Sequence, residues 1–210
     1  MIREETVDLI RSDMQGRLGE KRFRHTLGVE KEMRALARIY MPSEEPLAAV
    51  AGLLHDITKE LSYEEQLALV RKYEIAVSKE EMASAALLHA KTGAYFAQES
   101  YPSVVSESVF SAILKHTTAE EEMSLLDKLL YLADFIEEGR SYPSCVSVRR
   151  AFYEGIDRAD DKLDFLNEMM IKAYDASLAA LSREGLYISP ATLLAKESAQ
   201  KERIAARGKK

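Results

Sequence analysis

The sequence is poor in residues typical of disulfide-bonded and membrane-spanning proteins. Its 210 residues include no Trp, one Cys, five Pro and nine Gly. A single cysteine excludes an internal disulfide, which suits a reducing compartment, and we predict a cytoplasmic protein. The longest apolar run, LAAVAGLL at 47–54, is too short to cross a bilayer. The N-terminal segment MIREETVDLIRSDM is amphipathic and charged, so it is not a signal peptide.

The chain also lacks an excess of positive charge, since its formal net charge is −6. General nucleic-acid binders need a cationic surface, so we predict neither a nucleic acid nor a membrane as a partner. A small phosphorylated substrate is not excluded, because bound metal ions supply their own local positive charge. The C-terminal KERIAARGKK is basic, and residues 196–210 are predicted to form a solvated, flexible tail.

The residues that are abundant favour helices. Ala, Leu, Glu, Lys and Arg dominate the composition, and apolar residues recur at helical spacing in almost every segment. The predicted helices span 3–18, 22–40, 43–58, 62–73, 78–99, 104–116, 123–138, 147–155, 160–182 and a last one from Ser189-Pro190. Ser62-Tyr-Glu-Glu65 and Ser78-Lys-Glu-Glu81 are capping-box patterns that start two of them. We found no convincing strand and no repeat, so the predicted fold is all-α, in one domain.

The four histidines of the chain form the strongest functional signal. His25, His89 and His116 each lie in line with the apolar residues of a different predicted helix, and His55 ends an apolar run. Taken singly, a histidine in line with an apolar stripe, as His25, His89 and His116 are, is more often a core residue than a metal ligand. Taken together, several unpartnered imidazoles in one core would be costly, whereas a metal ion would satisfy them. Neutral imidazoles and carboxylates are ligands of first-row transition metals.

Two aspartates extend this set. Asp56 follows His55 at the end of AAVAGLLHD, where a carboxylate is normally excluded unless it is paired or binds a metal. Adjacent helical residues point about 100° apart, so both can face one centre only near a helix end. A His-Asp capping pair is the alternative. Asp134 lies inside the apolar LLYLADFIEE and needs a cation, which Lys128, Arg140 or a metal would provide.

The order H…HD…H…H…D on helices resembles the HD-domain metal-dependent phosphohydrolases, in the form that holds two metals. Five blocks in the right order are similar to the YqeK-like branch: RFRHTLGV, AGLLHDITKE, LLHAKTGAYFA, ILKHTT and MSLLDKLLYLADFIEEGR. The resemblance covers roughly residues 20–195. The chain departs from the branch at Ala90 and Ala119, where glycine is common, and at Glu138, where proline is common. A glycine lost near a pocket would alter access to it.

The resemblance implies a symmetrical diadenosine tetraphosphate hydrolase with a di-iron centre that releases two ADP. It assigns His25, His55, Asp56 and Asp134 to one metal, and His89 and His116 to the second, with Asp56 bridging. Residues 1–20 would be a helix packed on an HD core of 21–195, ahead of the basic tail. The ligand types suit manganese and cobalt as well as iron. A homodimer is left open, since no surface patch in the sequence argues for one.

Basic and hydroxyl residues beside these motifs are candidates for contacts with substrate. They are Arg22, Lys59, Thr117, Thr118 and Arg140. Asp56, Lys59 and Arg140 are the predicted catalytic residues. Solvated or ion-paired side chains and hydrogen bonds at helix ends explain the basic and hydroxyl residues equally well. Ligand spacing also leaves open a nucleoside monophosphate, a nucleoside triphosphate or a cyclic nucleotide as substrate, and a nucleotide sensor without catalysis.

Overall fold

The computed structural model describes residues 2–208, which contain eleven α-helices, two short 3-10 helices and no strand. This confirms the predicted all-α class. The α-helices are α1 Glu4–Arg17, α2 Glu20–Tyr40, α3 Glu45–Leu54, α4 Tyr63–Lys72, α5 Lys79–Met82, α6 Ala85–Ser100, α7 Glu107–Lys115, α8 Leu125–Ile136, α9 Pro143–Gly155, α10 Lys162–Glu184 and α11 Pro190–Arg207. The 3-10 helices are Pro42–Glu44 and Ile156–Arg158. Within these residues, no helix is both long enough and apolar enough to cross a membrane.

The local signals for helix ends are confirmed. Ser62 and Ser78 each accept a hydrogen bond from the backbone N–H three residues on, and the glutamate there accepts one from the serine N–H. Gly185 follows α10 with a left-handed φ of 65°, a conformation that is costly for other residues. Ser189 caps α11, and Pro190 stands at its first position, where a missing N–H costs nothing.

Three predicted boundaries differ in the structure. The helix predicted to reach residue 58 ends at Leu54, and tight turns follow it. The helix predicted over 78–99 is broken: Ser84 is extended, and the Tyr63 hydroxyl donates to the Met82 carbonyl, which a continuous helix would use itself. The helix predicted from 147 begins already at Pro143. Cys145 therefore lies in the first turn of α9.

The segment predicted as a flexible tail is helical as far as the structure describes it. Residues 196–207 continue α11, and Ala199 is buried against the rest of the protein. The Arg203 guanidinium donates to Asp164 at 2.9 Å and to Glu168 at 2.7 Å, both on α10. These contacts give the segment a docked position. Residues 209–210 lie outside the described range.

Helix α3 lies at the centre of the fold. All its residues from 48 to 54 are buried, and α1, α2, α7 and α8 pack around it. The approach of α2 depends on Gly52, because a Cβ there would lie 3.0 Å from the Glu30 Cα. The buried end of α3 consequently faces α2, α7 and α8 at once. Side chains that leave these helices at this point meet in the interior.

Candidate metal centre

Six side chains from five parts of the chain meet beside the end of α3. His25 comes from α2, His89 from α6, His116 from the end of α7 and Asp134 from α8. His55 and Asp56 directly follow Leu54, the helix-end position that lets adjacent residues face one point. The structure thus brings together all six residues predicted as metal ligands.

Asp56 stands between two pairs of histidines. Its Oδ2 lies 3.3 Å from the Nε2 of His55 and 3.6 Å from that of His25. Its Oδ1 lies 3.2 Å from the Nε2 of His89 and 3.7 Å from that of His116. Asp134 joins the first pair only, with Oδ1 3.0 Å from the His25 Nε2 and 4.0 Å from the His55 Nε2. The cluster therefore has two halves that share one carboxylate.

The other ring nitrogen of every histidine is occupied by a hydrogen-bond acceptor. His55 Nδ1 lies 2.8 Å from the Gly52 carbonyl, His89 Nδ1 2.8 Å from the Ala86 carbonyl, and His116 Nδ1 2.7 Å from the Ile113 carbonyl. His25 Nδ1 lies 3.1 Å from the Glu137 carboxylate. Since each Nδ1 must donate, the neutral form of each ring carries its free lone pair on Nε2.

These lone pairs point at one another. The Nε2 atoms of His25 and His55 are 3.3 Å apart, and those of His89 and His116 are 3.0 Å apart. Two acceptors at such a distance repel unless a cation lies near both. Two triads, His25–His55–Asp134 and His55–Asp56–His116, have donor atoms that all lie within 4.8 Å of one another. The donor set therefore fits a transition metal, and the chain has a His/Asp cluster able to bind one.

Glu137 is part of the site and was not predicted. It is buried and lies just after α8. Its carboxylate accepts hydrogen bonds from His25 Nδ1 and, at 2.5 Å, from the Gly139 N–H. Gly28 makes room for it, because a Cβ there would lie 2.4 Å from Glu137 Oε2. Carboxylates in this position orient a metal-binding histidine and raise its basicity. The signal in the sequence was a glutamate three residues after Asp134, followed by Gly139.

A buried polar network holds the turn that carries His55 and Asp56. The Thr58 hydroxyl donates to the His89 carbonyl at 3.0 Å, and Gln66 donates from its amide to the Thr58 carbonyl at 3.0 Å. The Thr92 hydroxyl, on α6, donates to Gln66 Oε1 at 2.6 Å. All three side chains are buried. This network couples the position of Asp56 to that of His89. No sequence motif predicted it.

Three predicted basic residues adjoin the cluster. Arg22 donates to Asp56 Oδ2 at 2.6 Å, and Arg140 donates to Asp134 Oδ1 at 2.5 Å. Lys59 Nζ lies 3.2 Å from His89 Nε2. Burial lowers the pKa of Lys59, although the charges of Asp56 and Asp134 oppose that change. Lys128, the alternative partner for Asp134, instead contacts Asn167 and Glu202.

The surroundings of the cluster shift the pKa values of both carboxylates and of two histidines. Burial alone would raise the pKa of Asp56 and Asp134, but neighbouring histidines and Arg140 outweigh it and hold both well below their usual range. Burial would also lower the pKa of His25, yet hydrogen bonds to Asp134 and Glu137 raise it to about 9. Burial lowers the pKa of His89 to about 4. Asp56 and Asp134 are therefore ionised, and ionised carboxylates are ligands for a cation.

The cluster opens into a cavity of about 760 Å³, which we call the α10 cavity. Its polar wall includes Arg22, Asp56, Lys59, His89, His116, Thr117, Asp134 and Arg140, and its apolar wall includes Tyr131, Phe135, Pro143, Ala176, Ala180 and Leu181. The Thr117 hydroxyl lies 3.2 Å from both His89 Nε2 and His116 Nε2. Thr118 is not in this wall, and its carbonyl accepts the Thr192 hydroxyl at 2.6 Å. The buried Cys145 also lies in this wall.

Comparison with known proteins places this geometry in a family. The family model described as HD domain matches residues 22–138, the segment from Arg22 past Asp134. The chain belongs to the HD-domain family. A crystal structure of a predicted HD superfamily hydrolase from Clostridium acetobutylicum, described as involved in NAD metabolism, has a TM-score of 0.80. It is 29% identical, and the match covers 93% of this chain and 97% of that one.

Relatives within the HD-domain family carry a specific name. A symmetrical bis(5'-nucleosyl)-tetraphosphatase from Halalkalibacterium halodurans is 36% identical over 134 residues, 63% of this chain and 69% of the relative. The protein of the same name from Staphylococcus aureus is 33% identical over 137 residues, 65% and 69%. That from Bacillus subtilis is 28% identical over 194 residues, 92% and 95%. These matches confirm the resemblance to the YqeK-like branch.

Proposed function

We propose that this chain hydrolyses diadenosine tetraphosphate symmetrically to two ADP, with two transition-metal ions held by the His/Asp cluster. The observation that carries the proposal is the convergence of four Nε2 lone pairs on the two oxygens of one carboxylate, Asp56. The names of the relatives support the substrate class. The arrangement of the cluster in two halves supports the number of ions.

In the proposed centre, one ion is held by His25, His55 and Asp134, and the other by His89 and His116. Asp56 contributes one oxygen to each half, which agrees with its distances to the two histidine pairs. Iron is the proposed metal on the basis of the family resemblance, and the same donors suit manganese and cobalt. Such ions, when bound, lower the pKa of a water molecule and neutralise charge on phosphate oxygens.

The reaction joins a water oxygen to a phosphorus beside the central bridging oxygen of the tetraphosphate, and that bridging bond breaks. One water proton stays on the oxygen that joins the attacked phosphorus, and the other goes to the leaving phosphate oxygen. Both halves therefore leave as ADP. Phosphoryl transfer of this kind depends on positioning and on neutralising charge. We assign these roles to the cations that adjoin the cluster.

Arg22, Lys59 and Arg140 are the proposed phosphate clamps. Arg22 and Arg140 pair with Asp56 and Asp134, the carboxylates that the metals would neutralise, so their guanidinium groups would then be available to phosphate oxygens. Lys59 lies beside His89 in the same wall of the α10 cavity. Thr117 is the proposed hydroxyl contact. Thr118 is a weaker candidate, because it lies outside that wall.

Elemental analysis of protein purified without added metal or a histidine tag, combined with an assay of ADP release, tests this proposal. We expect about two transition-metal ions per chain and ADP as the sole product of diadenosine tetraphosphate. Metal without ADP release would direct the search to the other nucleotides. Protein that cannot be loaded with metal would contradict the six-ligand centre.

Location and assembly are separate proposals. We propose a cytoplasmic location because the free, buried Cys145 suits a reducing compartment. A homodimer stays a prediction, and light scattering of the metal-loaded chain measures it directly. The division into residues 1–20, 21–195 and 196–210 likewise stays a prediction.

A further inference from the structure

A second cavity borders the α10 cavity and reaches the metal centre at His25. It runs along α2 and the loop after α8, has the same volume of about 760 Å³, and is called the α2 cavity here. Its wall includes Lys21, Arg24, Leu27, Lys31 and Glu138. None of these residues was predicted to bind substrate, and no step of the proposed reaction uses them.

The two cavities adjoin each other, and each reaches the metal cluster at different ligands. His25 lines the α2 cavity, whereas Asp56 and Asp134 line the α10 cavity. Three residues line both: Arg22, Arg140 and Tyr142. A molecule that reaches from one cavity to the other therefore passes the two arginines beside the cluster.

The α2 cavity carries an excess of positive charge. Five cationic side chains line it, against the carboxylates of Glu137 and Glu138. Arg22 and Arg140 already pair with Asp56 and Asp134, and Lys31 pairs with Glu138 at 2.6 Å, which leaves Lys21 and Arg24. Glu137 is already engaged with His25 and the Gly139 N–H. Lys21 and Arg24 are exposed, and the one ion pair that Arg24 makes, with Glu20 at 3.5 Å, is fully at the surface and therefore weak. Such a wall attracts a polyanion.

We infer that the α2 cavity binds one nucleoside diphosphate half of a dinucleoside polyphosphate while the α10 cavity binds the other. The inference rests on the proposed function. Cleavage at the centre of a symmetrical substrate requires two similar halves on the two sides of the reacting phosphorus atoms. Two cavities of equal volume reach the cluster, and each lies within the range of about 300–1,000 Å³ that ligand pockets show.

The walls of the two cavities offer different kinds of contact to a nucleotide. The α10 cavity offers an apolar surface, including Phe135 and Leu181, on which a nucleoside packs. The α2 cavity offers mainly cations for phosphate oxygens, with Leu27 and Tyr142 as its apolar contacts. Tyr142 is 67% exposed at the border of the two cavities, where its ring is free to stack on a base.

The test compares charge reversal in the α2 cavity with charge reversal elsewhere. The variant is Lys21→Glu with Arg24→Glu, and the control is Lys79→Glu with Lys162→Glu, two exposed lysines on other helices. Both are loaded with metal, and both are checked for unchanged metal content and unfolding midpoint. The glutamine pair, Lys21→Gln with Arg24→Gln, replaces the first variant if that does not fold.

Calorimetric titration with ADP gives a readout that does not need turnover. We expect two ADP sites in the wild type and the control, and one in the α2 cavity variant. In kinetics, the KM for diadenosine tetraphosphate should rise about tenfold in that variant, as the loss of two charge contacts predicts, while kcat changes much less.

Two failures can be told apart. ADP release by a wild type that has a single ADP site, or an unchanged KM in the α2 cavity variant, would overturn the inference and leave the proposed function standing. Absence of ADP release by the metal-loaded wild type would contradict the proposed function, and the inference that rests on it.

Discussion

Substitution of Gly28 by alanine should weaken metal binding without destabilising the metal-free protein. A Cβ at this position would lie 2.4 Å from Glu137 Oε2 and 3.1 Å from its Cδ. The carboxylate must retreat by about 1 Å to reach ordinary van der Waals contact. It is the end of a flexible side chain, so it can move, but Oε2 then gives up the Gly139 N–H. His25 Nδ1, 3.1 Å from Oε1, would then lose its acceptor.

The expected magnitude follows from the role of that acceptor. Loss of a hydrogen-bond partner behind a metal-binding histidine typically weakens metal affinity 10- to 100-fold, which is about 1.4–2.7 kcal/mol. The fold itself should not suffer. Gly28 lies inside α2, where alanine is favoured over glycine by roughly 1 kcal/mol. The hydrogen bonds that Glu137 loses are worth about 1 kcal/mol each and offset this gain, so metal affinity should fall while metal-free stability changes little.

Competition with a chromogenic chelator measures the affinity, and denaturant unfolding of the metal-free chain measures the stability. Gly16→Ala is the matched control, because this glycine also lies in a helix, α1, and a Cβ there meets nothing within 4 Å. Glu137→Gln serves as the companion variant. Wild-type affinity in Gly28→Ala, or a large loss of metal-free stability, would refute the proposed role of Glu137.

Three further outcomes are expected. Asp56→Asn should lose most bound metal and all ADP release, since a neutral amide is a poor ligand for either half of the metal cluster. Elemental analysis and the ADP assay measure this beside the exposed control Asp157→Asn. Full metal content would contradict the shared-carboxylate geometry. Chelation should lower the unfolding midpoint, because ligand at 1,000 times its Kd contributes about 4 kcal/mol, and an unchanged midpoint would argue against a metal in the core. Burial raises the pKa of Glu32 despite Tyr153 and Arg149, so the wild type loses stability as pH rises through that pKa. The free energy of unfolding of Glu32→Gln, measured with denaturant, should therefore exceed that of the wild type by more at pH 7 than at pH 4. An equal difference at the two pH values would refute this.

The convergence of the six candidate ligands could be predicted from the sequence because their residue types are chemically distinctive. Four histidines in 210 residues, each in or beside an apolar segment, leave few alternatives once Asp56 and Asp134 are added. Helix ends were predictable at Ser62 and Ser78, because a capping box is decided within four residues. The break at Ser84 was not, since it depends on Tyr63 from another helix.

At Ala119 the sequence departs from the branch that it resembles, but the sequence alone does not explain the departure. Glycine is common there in the branch that the sequence resembles, and the structure gives the alanine a left-handed φ of 57° in a fully buried position. The backbone conformation that favours glycine is thus retained. The sequence contains no feature that would have predicted it.

Helical class, the six candidate ligands and most helix starts are properties of the sequence itself, because periodicity, capping and residue chemistry act over a few residues. The tertiary structure decided which nitrogen of each histidine faces inward, since the carbonyls of Gly52, Ala86 and Ile113 and the carboxylate of Glu137 hold the other. It also decided that two cavities, rather than one, reach the cluster. Both depend on where backbones and side chains far apart in the chain come into contact, and no local pattern encodes those contacts.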